Sequence, residues 1–82
     1  MLPPLLRLVP LREIPVTLRR GIPYAVGVPP QRVREVIGPQ RINDGWFAGA
    51  TVRDEYDLLL DDGILYRIYR QEQRWFMRGI YD

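Results

Sequence analysis

Two short segments with one shared pattern constrain this chain more than anything else in it. Val16-Thr17-Leu18 runs into Arg19-Arg20-Gly21 and out through Ile22-Pro23-Tyr24-Ala25-Val26. Leu58-Leu59-Leu60 runs into Asp61-Asp62-Gly63 and out through Ile64-Leu65-Tyr66-Arg67-Ile68. Each reads leucine, two like charges, glycine, isoleucine, any residue, tyrosine. Apolar residues on both sides of a glycine-bearing turn signal an antiparallel hairpin. Matching apolar faces chooses the register. In the first segment a two-residue loop sets Leu18 against Pro23 and Val16 against Ala25. A three-residue loop sets Leu18 against Ile22, Val16 against Tyr24 and Ile14 against Val26, which keeps the large side chains together. It also puts Gly21 where a left-handed residue is wanted. The same loop in the second segment pairs Leu60 with Ile64, Leu58 with Tyr66 and Tyr56 with Ile68. An internal duplication would give this likeness, and common hairpin rules account for it more simply.

A third strand comes after the second hairpin, over Arg74–Tyr81, with Gln71-Glu72-Gln73 as its loop. Trp75 and Met77 share one face and Phe76 and Ile80 the other, so alternation leaves its register open. Upstream, Pro3, Pro4, Pro10 and Pro15 predict an irregular extended arm over residues 1–13. Leu5, Leu6, Leu8 and Val9 would still let that arm dock as an edge strand. Residues 30–37 read two ways. Pro30 at the start, apolar Val33, Val36 and Ile37, and the terminal Gly38-Pro39 suit a short helix. Their β-branched content suits a strand. Asn43-Asp44-Gly45 reads as a turn. The expectation is one all-β domain over residues 14–82: five or six antiparallel strands in a curved sheet or small barrel, with one short helix at most.

Composition narrows the chemistry. None of the 82 residues is His, Cys, Ser or Lys. Disulfides and structural zinc are excluded. Activated-nucleophile catalysis has only Thr17 and Thr51 to draw on, with no histidine beside them. Schiff-base chemistry and phosphate-loop nucleotide hydrolysis both lack their lysine. Carboxylates remain, at Asp54, Glu55, Asp57, Asp61 and Asp62, and could hold magnesium for hydrolysis. Strand alternation, however, sets Asp57 and Asp61 opposite Tyr56, Leu58 and Leu60, as a solvated face. No catalytic residue, metal or cofactor is therefore expected. The first residues lack both a charged start and a long apolar run, and no stretch approaches the roughly 20 apolar residues of a membrane span. A cytoplasmic protein without a membrane partner is the expectation.

All twelve basic residues are Arg. Residues 1–41 carry seven of them against Glu13 and Glu35, a net of +5, whereas residues 42–82 net −3. Such a split fits either a nucleic-acid face or two halves that attract each other. Arg67, Arg70, Arg74 and Arg78 interleave with Tyr66, Tyr69, Trp75 and Phe76. Bases stack on aromatic rings while Arg meets phosphate, so this composition suits a single-strand binding sheet. It suits a protein interface equally, and a small β core with Arg at its rim. The candidate nucleic-acid or partner-binding residues are Arg19, Arg20, Arg67, Arg70, Arg74, Arg78, Tyr69, Trp46 and Trp75. An exposed edge near the proline-rich arm is compatible with a homodimer.

The second half carries a further pattern: Gly38-Pro39-Gln40-Arg41-Ile42, Gly45-Trp46-Phe47, Arg53-Asp54-Glu55-Tyr56-Asp57, Asp62-Gly63, and Arg74-Trp75-Phe76. It resembles the C-terminal segment of the ImuB family, the catalytically inactive Y-family polymerase homologues of the bacterial mutasome. Small stand-alone bacterial proteins share that segment. The resemblance covers residues 14–82 and is strongest after Gly38. The family often has a second Trp at the position of Phe47 and a Tyr at that of Glu55. No part of the polymerase body is present. The resemblance implies an accessory role near translesion synthesis or DNA repair, through replication or repair proteins or through DNA.

Overall fold

The computed structural model describes residues 5–43 and 52–81. Seven antiparallel strands account for most of them: β1 (Leu6–Glu13), β2 (Val16–Arg19), β3 (Ile22–Val26), β4 (Gln31–Asn43), β5 (Val52–Leu60), β6 (Leu65–Gln71) and β7 (Arg74–Tyr81). They form one sheet in the order β1-β7-β6-β5-β4-β3-β2. The fold is all-β, with two strands more than the lower expectation. Residues 30–37 belong to the long strand β4, so the helical alternative falls away. No helix occurs among the described residues, and so none is long and apolar enough to cross a membrane.

The two strands at the ends of this order, β1 and β2, are consecutive in the chain. Only Ile14 and Pro15 separate them. The sheet must therefore curl until its ends meet, although it does not close. The link itself ties the two ends: the Ile14 N–H donates to the Trp75 carbonyl at 2.9 Å, and the Gly27 N–H donates to the Pro15 carbonyl at 2.9 Å. Inside the curl lies the core, formed by Ile14, Val26, Tyr56, Leu58, Leu60, Ile68, Trp75 and Met77. Leu58 and Ile68 are wholly removed from water. At about 25 cal/mol per Å² of apolar surface, burying each contributes roughly 2–3 kcal/mol.

Curling needs breaks in the ladders, since bulges bend and coil a sheet. Between β2 and β3, Tyr24 has no opposite residue. Arg34 and the Gly38-Pro39 step interrupt β4 against β5. Arg78 interrupts β7 against β6. Each bulge also inverts the facing of the residues beyond it, and this explains two departures from expectation. Val33 and Val36, three residues apart, both pack against the core, and that spacing is what resembled a helix. Ile80 lines the same hollow as Met77 and Tyr66, not the face of Phe76, because Arg78 intervenes. Gly38 is required where it stands. Its φ is +109°, and a Cβ there would lie 2.8 Å from the Glu55 carbonyl oxygen.

Leu6–Glu13 of the proline-rich arm form strand β1, paired with β7. Val9 packs against the core, whereas Leu5, Leu8 and Leu11 stay exposed, so pairing with β7 rather than apolar burial docks most of the arm. Pro10 falls within a register shift between Leu8 and Arg12, on a strand with a free outer edge. There a missing N–H costs no ladder bond.

The second hairpin has the expected register, with Leu58 opposite Tyr66 and Tyr56 opposite Ile68. The first does not. Arg19 pairs with Ile22 and Leu18 with Pro23 around a two-residue Arg20-Gly21 turn, and Val16 then pairs with Val26. Arg20 and Gly21 have φ of 54° and 77°, the left-handed pair of a type I′ turn. The loop before β7 is likewise two residues, Glu72 and Gln73, with φ of 52° and 64°.

Candidate interaction surface

The sheet carries two groups of charged and aromatic side chains of different character. The first lies across β5, β6 and β7 on the face away from the core. Alternation puts Glu55 and Asp57 there because Tyr56 and Leu58 point inward. Arg67 stands opposite Asp57 across the ladder. Its guanidinium donates from Nε to Asp57 Oδ1 at 3.0 Å and from Nη2 to Oδ2 at 3.2 Å. The Tyr81 hydroxyl donates to the same carboxylate at 2.9 Å and accepts from Arg67 at 2.6 Å. Arg53 donates to Glu55 at 3.1 Å. Hydrogen bonding to Asp57 raises the Arg67 pKa further above its ordinary value, and burial raises that of the Tyr81 phenol. At the β1 edge, Arg74 forks onto Glu13 with contacts of 2.7 and 3.1 Å, and that bond holds the Glu13 carboxyl below its usual range. The aromatic rings here are also engaged. Tyr69 stacks on Phe76 at 5.1 Å, with Arg53 over Tyr69 and Arg74 over Phe76.

On the core side, Trp75 is buried against Tyr56 with ring centroids 5.2 Å apart, and Arg70 lies over its ring. Arg41 donates to Asp54 at 3.1 Å beside them. Of the sequence-derived candidates, Arg67 and Arg74 thus meet carboxylates, Tyr69 and Trp75 are buried, and Arg70 covers an indole. Arg78 is a bulge residue on β7. Trp46 lies outside the described residues, as do Asp44 and Gly45 of the expected turn, while Asn43 ends β4.

The second group centres on the β2–β3 hairpin. Arg19 and Arg20 sit at its turn, and the bulge at Tyr24 turns that ring toward them. The Arg19 guanidinium carbon is 3.9 Å from the Tyr24 ring centre, and that of Arg32, at the start of β4, is 4.7 Å from it. A hollow of about 460 Å³ is lined by Arg19, Arg20, Ile22, Pro23 and Tyr24. A neighbouring one of about 300 Å³ is lined by Arg32, Val33, Arg34 and Asp61. Arg19, Arg20, Arg32 and Arg34 are all exposed, and no ion pair among the described residues engages them. Asp61 is the one carboxylate lining these hollows among the described residues. Sequence reasoning missed Tyr24, Arg32 and Arg34. The +5 charge of residues 1–41 pointed to them, because Glu13 and Glu35 are too few to neutralise that half. No family model, curated protein or solved structure matches the chain.

Proposed function

We propose that this protein is a non-enzymatic interaction module serving DNA repair or translesion synthesis. What supports the first half of that reading is the state of its carboxylates. Of Asp54, Glu55 and Asp57, the carboxylates considered for metal-assisted hydrolysis, Glu55 and Asp57 share one face of β5. Both are held by guanidiniums from within the sheet, Asp57 by a two-pronged contact to Arg67. A guanidinium fixed there occupies the charge that a divalent cation would need. No group of three or more His, Cys, Asp and Glu with metal-binding geometry occurs among the described residues. The second half rests on the resemblance of residues 14–82 to the ImuB C-terminal segment.

Affinity purification of the tagged chain from its native host tests the role directly. Replication or repair proteins enriched over an untagged control are the expected result. Their absence, with only unrelated proteins enriched, would sink the repair assignment. A magnesium titration tests the non-enzymatic half. Magnesium is expected to leave the melting temperature unchanged, whereas magnesium-dependent phosphoester hydrolysis that disappears in Asp57→Asn would overturn it.

A further inference from the structure

We infer that the β2–β3 hairpin and the start of β4 form a binding site for single-stranded nucleic acid, built on Tyr24 and the guanidiniums of Arg19, Arg20 and Arg32. A guanidinium lying over a ring uses its flat face, and its N–H donors all point outward in its own plane. Arg19 and Arg32 lie 3.9 and 4.7 Å from the ring centre of Tyr24, and no side-chain hydrogen bond or ion pair among the described residues uses their donors. Arg67 and Arg74 make the contrast, since their donors are spent on Asp57 and Glu13. Free donors in a rigid fork match the paired oxygens of a phosphate.

Tyr24 is the unopposed residue of the β2–β3 ladder, half-buried between buried Pro23 and Ala25, and beyond it Val16 pairs with Val26. Val26 stays in the core and Tyr24 remains half-buried beside the arginines. Exposed apolar surface lies alongside, at Leu18 (37%) and Ile22 (55%). That combination favours a single strand over a duplex. A duplex offers phosphates and groove edges and would leave Ile22 in water. An unpaired strand offers phosphates to the arginines and base faces to Ile22 and to the guanidinium planes. Such binding is indifferent to sequence and strongly salt-dependent.

The inference deepens the interaction-module reading and rests on it. Its test is fluorescence anisotropy of the full chain with a labelled mixed-sequence single-stranded oligonucleotide, over a range of salt. Saturable binding at low salt is expected, with a log–log salt slope of about −2, as for roughly three neutralised phosphates at about −0.7 each. The Arg19→Gln, Arg32→Gln double variant is expected to bind at least about tenfold more weakly. Tyr24→Phe keeps the ring and should bind as the parent does, whereas Tyr24→Leu should lose several-fold. Arg74→Gln, at the carboxylate-paired site, should bind unchanged. All these side chains except Tyr24 are exposed, and an unchanged melting temperature verifies each variant's fold. Absence of binding at low salt, equal binding by the double variant, or equal affinity for duplex DNA or polyglutamate would each overturn the inference. If binding is absent while repair proteins still co-purify, the nucleic-acid site fails and the module reading stands.

Discussion

The two hairpins share a sequence pattern and end differently, and the sign of their turn charges is the reason. At Asp61-Asp62-Gly63 the turn folds onto itself. The Asp62 carboxylate accepts from the Ile64 N–H at 2.8 Å and from the Tyr66 hydroxyl at 2.6 Å. Its own N–H donates to the Gln31 side chain at 3.0 Å, and the Asp61 N–H donates to the Arg32 carbonyl at 3.0 Å. Carboxylates accept hydrogen bonds, and a turn is rich in N–H donors pointing inward. Guanidiniums only donate. At Arg19-Arg20-Gly21 they find nothing local to serve, so they lie on Tyr24 or project into water. The acidic turn is a structural clasp against β4, and the basic turn is left facing outward. Charge sign thus sorts two similar loops into different work.

The largest effect should come from the core that each hairpin carries. Leu58→Ala, in the acidic hairpin, empties a wholly buried position and should cost about 2–5 kcal/mol in urea unfolding. Leu18→Ala, in the basic hairpin, removes a side chain 37% exposed and should cost under about 1 kcal/mol. Equal losses would erase the distinction. Next, Asp62→Ala removes two acceptor contacts from the acidic turn and should cost about 1–2 kcal/mol. Arg19→Ala should cost less by the same measurement.

Alkaline pH sharpens the comparison further. Burial, aided by the bond to Asp62, pushes the Tyr66 phenol up from 10.0 to about 12. The unfolded chain loses that proton first. The contribution of Tyr66 is therefore whole below about pH 10 and fades as pH rises toward about 12. With allowance for solvent screening it amounts to about 1 kcal/mol. Tyr66→Phe should flatten that part of the pH–stability curve, and an unaltered curve would refute the assignment. The smallest effect should be a gain. Arg20 holds a φ of 54°, which Asn tolerates better in a type I′ turn. Arg20→Asn should stabilise by about 0.5 kcal/mol, seen as a slight rise in melting temperature.

The acidic hairpin was legible in the sequence because large apolar side chains recur at every second position on both sides of the turn, Tyr56, Leu58 and Leu60 before it and Ile64, Tyr66 and Ile68 after it. The basic hairpin misled because face-matching treats Tyr24 as a core residue, whereas its ring carries two guanidiniums and its position is a bulge. Bulges hid the rest as well. Nothing local announces that Arg34 or Arg78 will be unopposed, since a bulge arises from how the sheet must bend to bring β1 and β2 together. Pairing across strands was equally invisible. The Arg-and-aromatic composition of β6 and β7 was clear, but Arg74 finds Glu13 only when the first strand joins the last. Alternation put Asp57 opposite the apolar face, but it is part-buried and paired with Arg67 rather than solvated, and Asp61 lies in the turn beyond β5.

The pairing of β1 with β7 sets Leu6 directly opposite Tyr81, and a Cβ on the neighbouring Gly79 would meet a Leu6 side-chain carbon at 2.7 Å. The start of the first strand and the end of the last are thus about 5 Å apart, the spacing of opposed residues on adjacent strands. A unit with that geometry can be spliced into a surface loop of a larger protein, which would need to part its backbone by no more than an ordinary hairpin does.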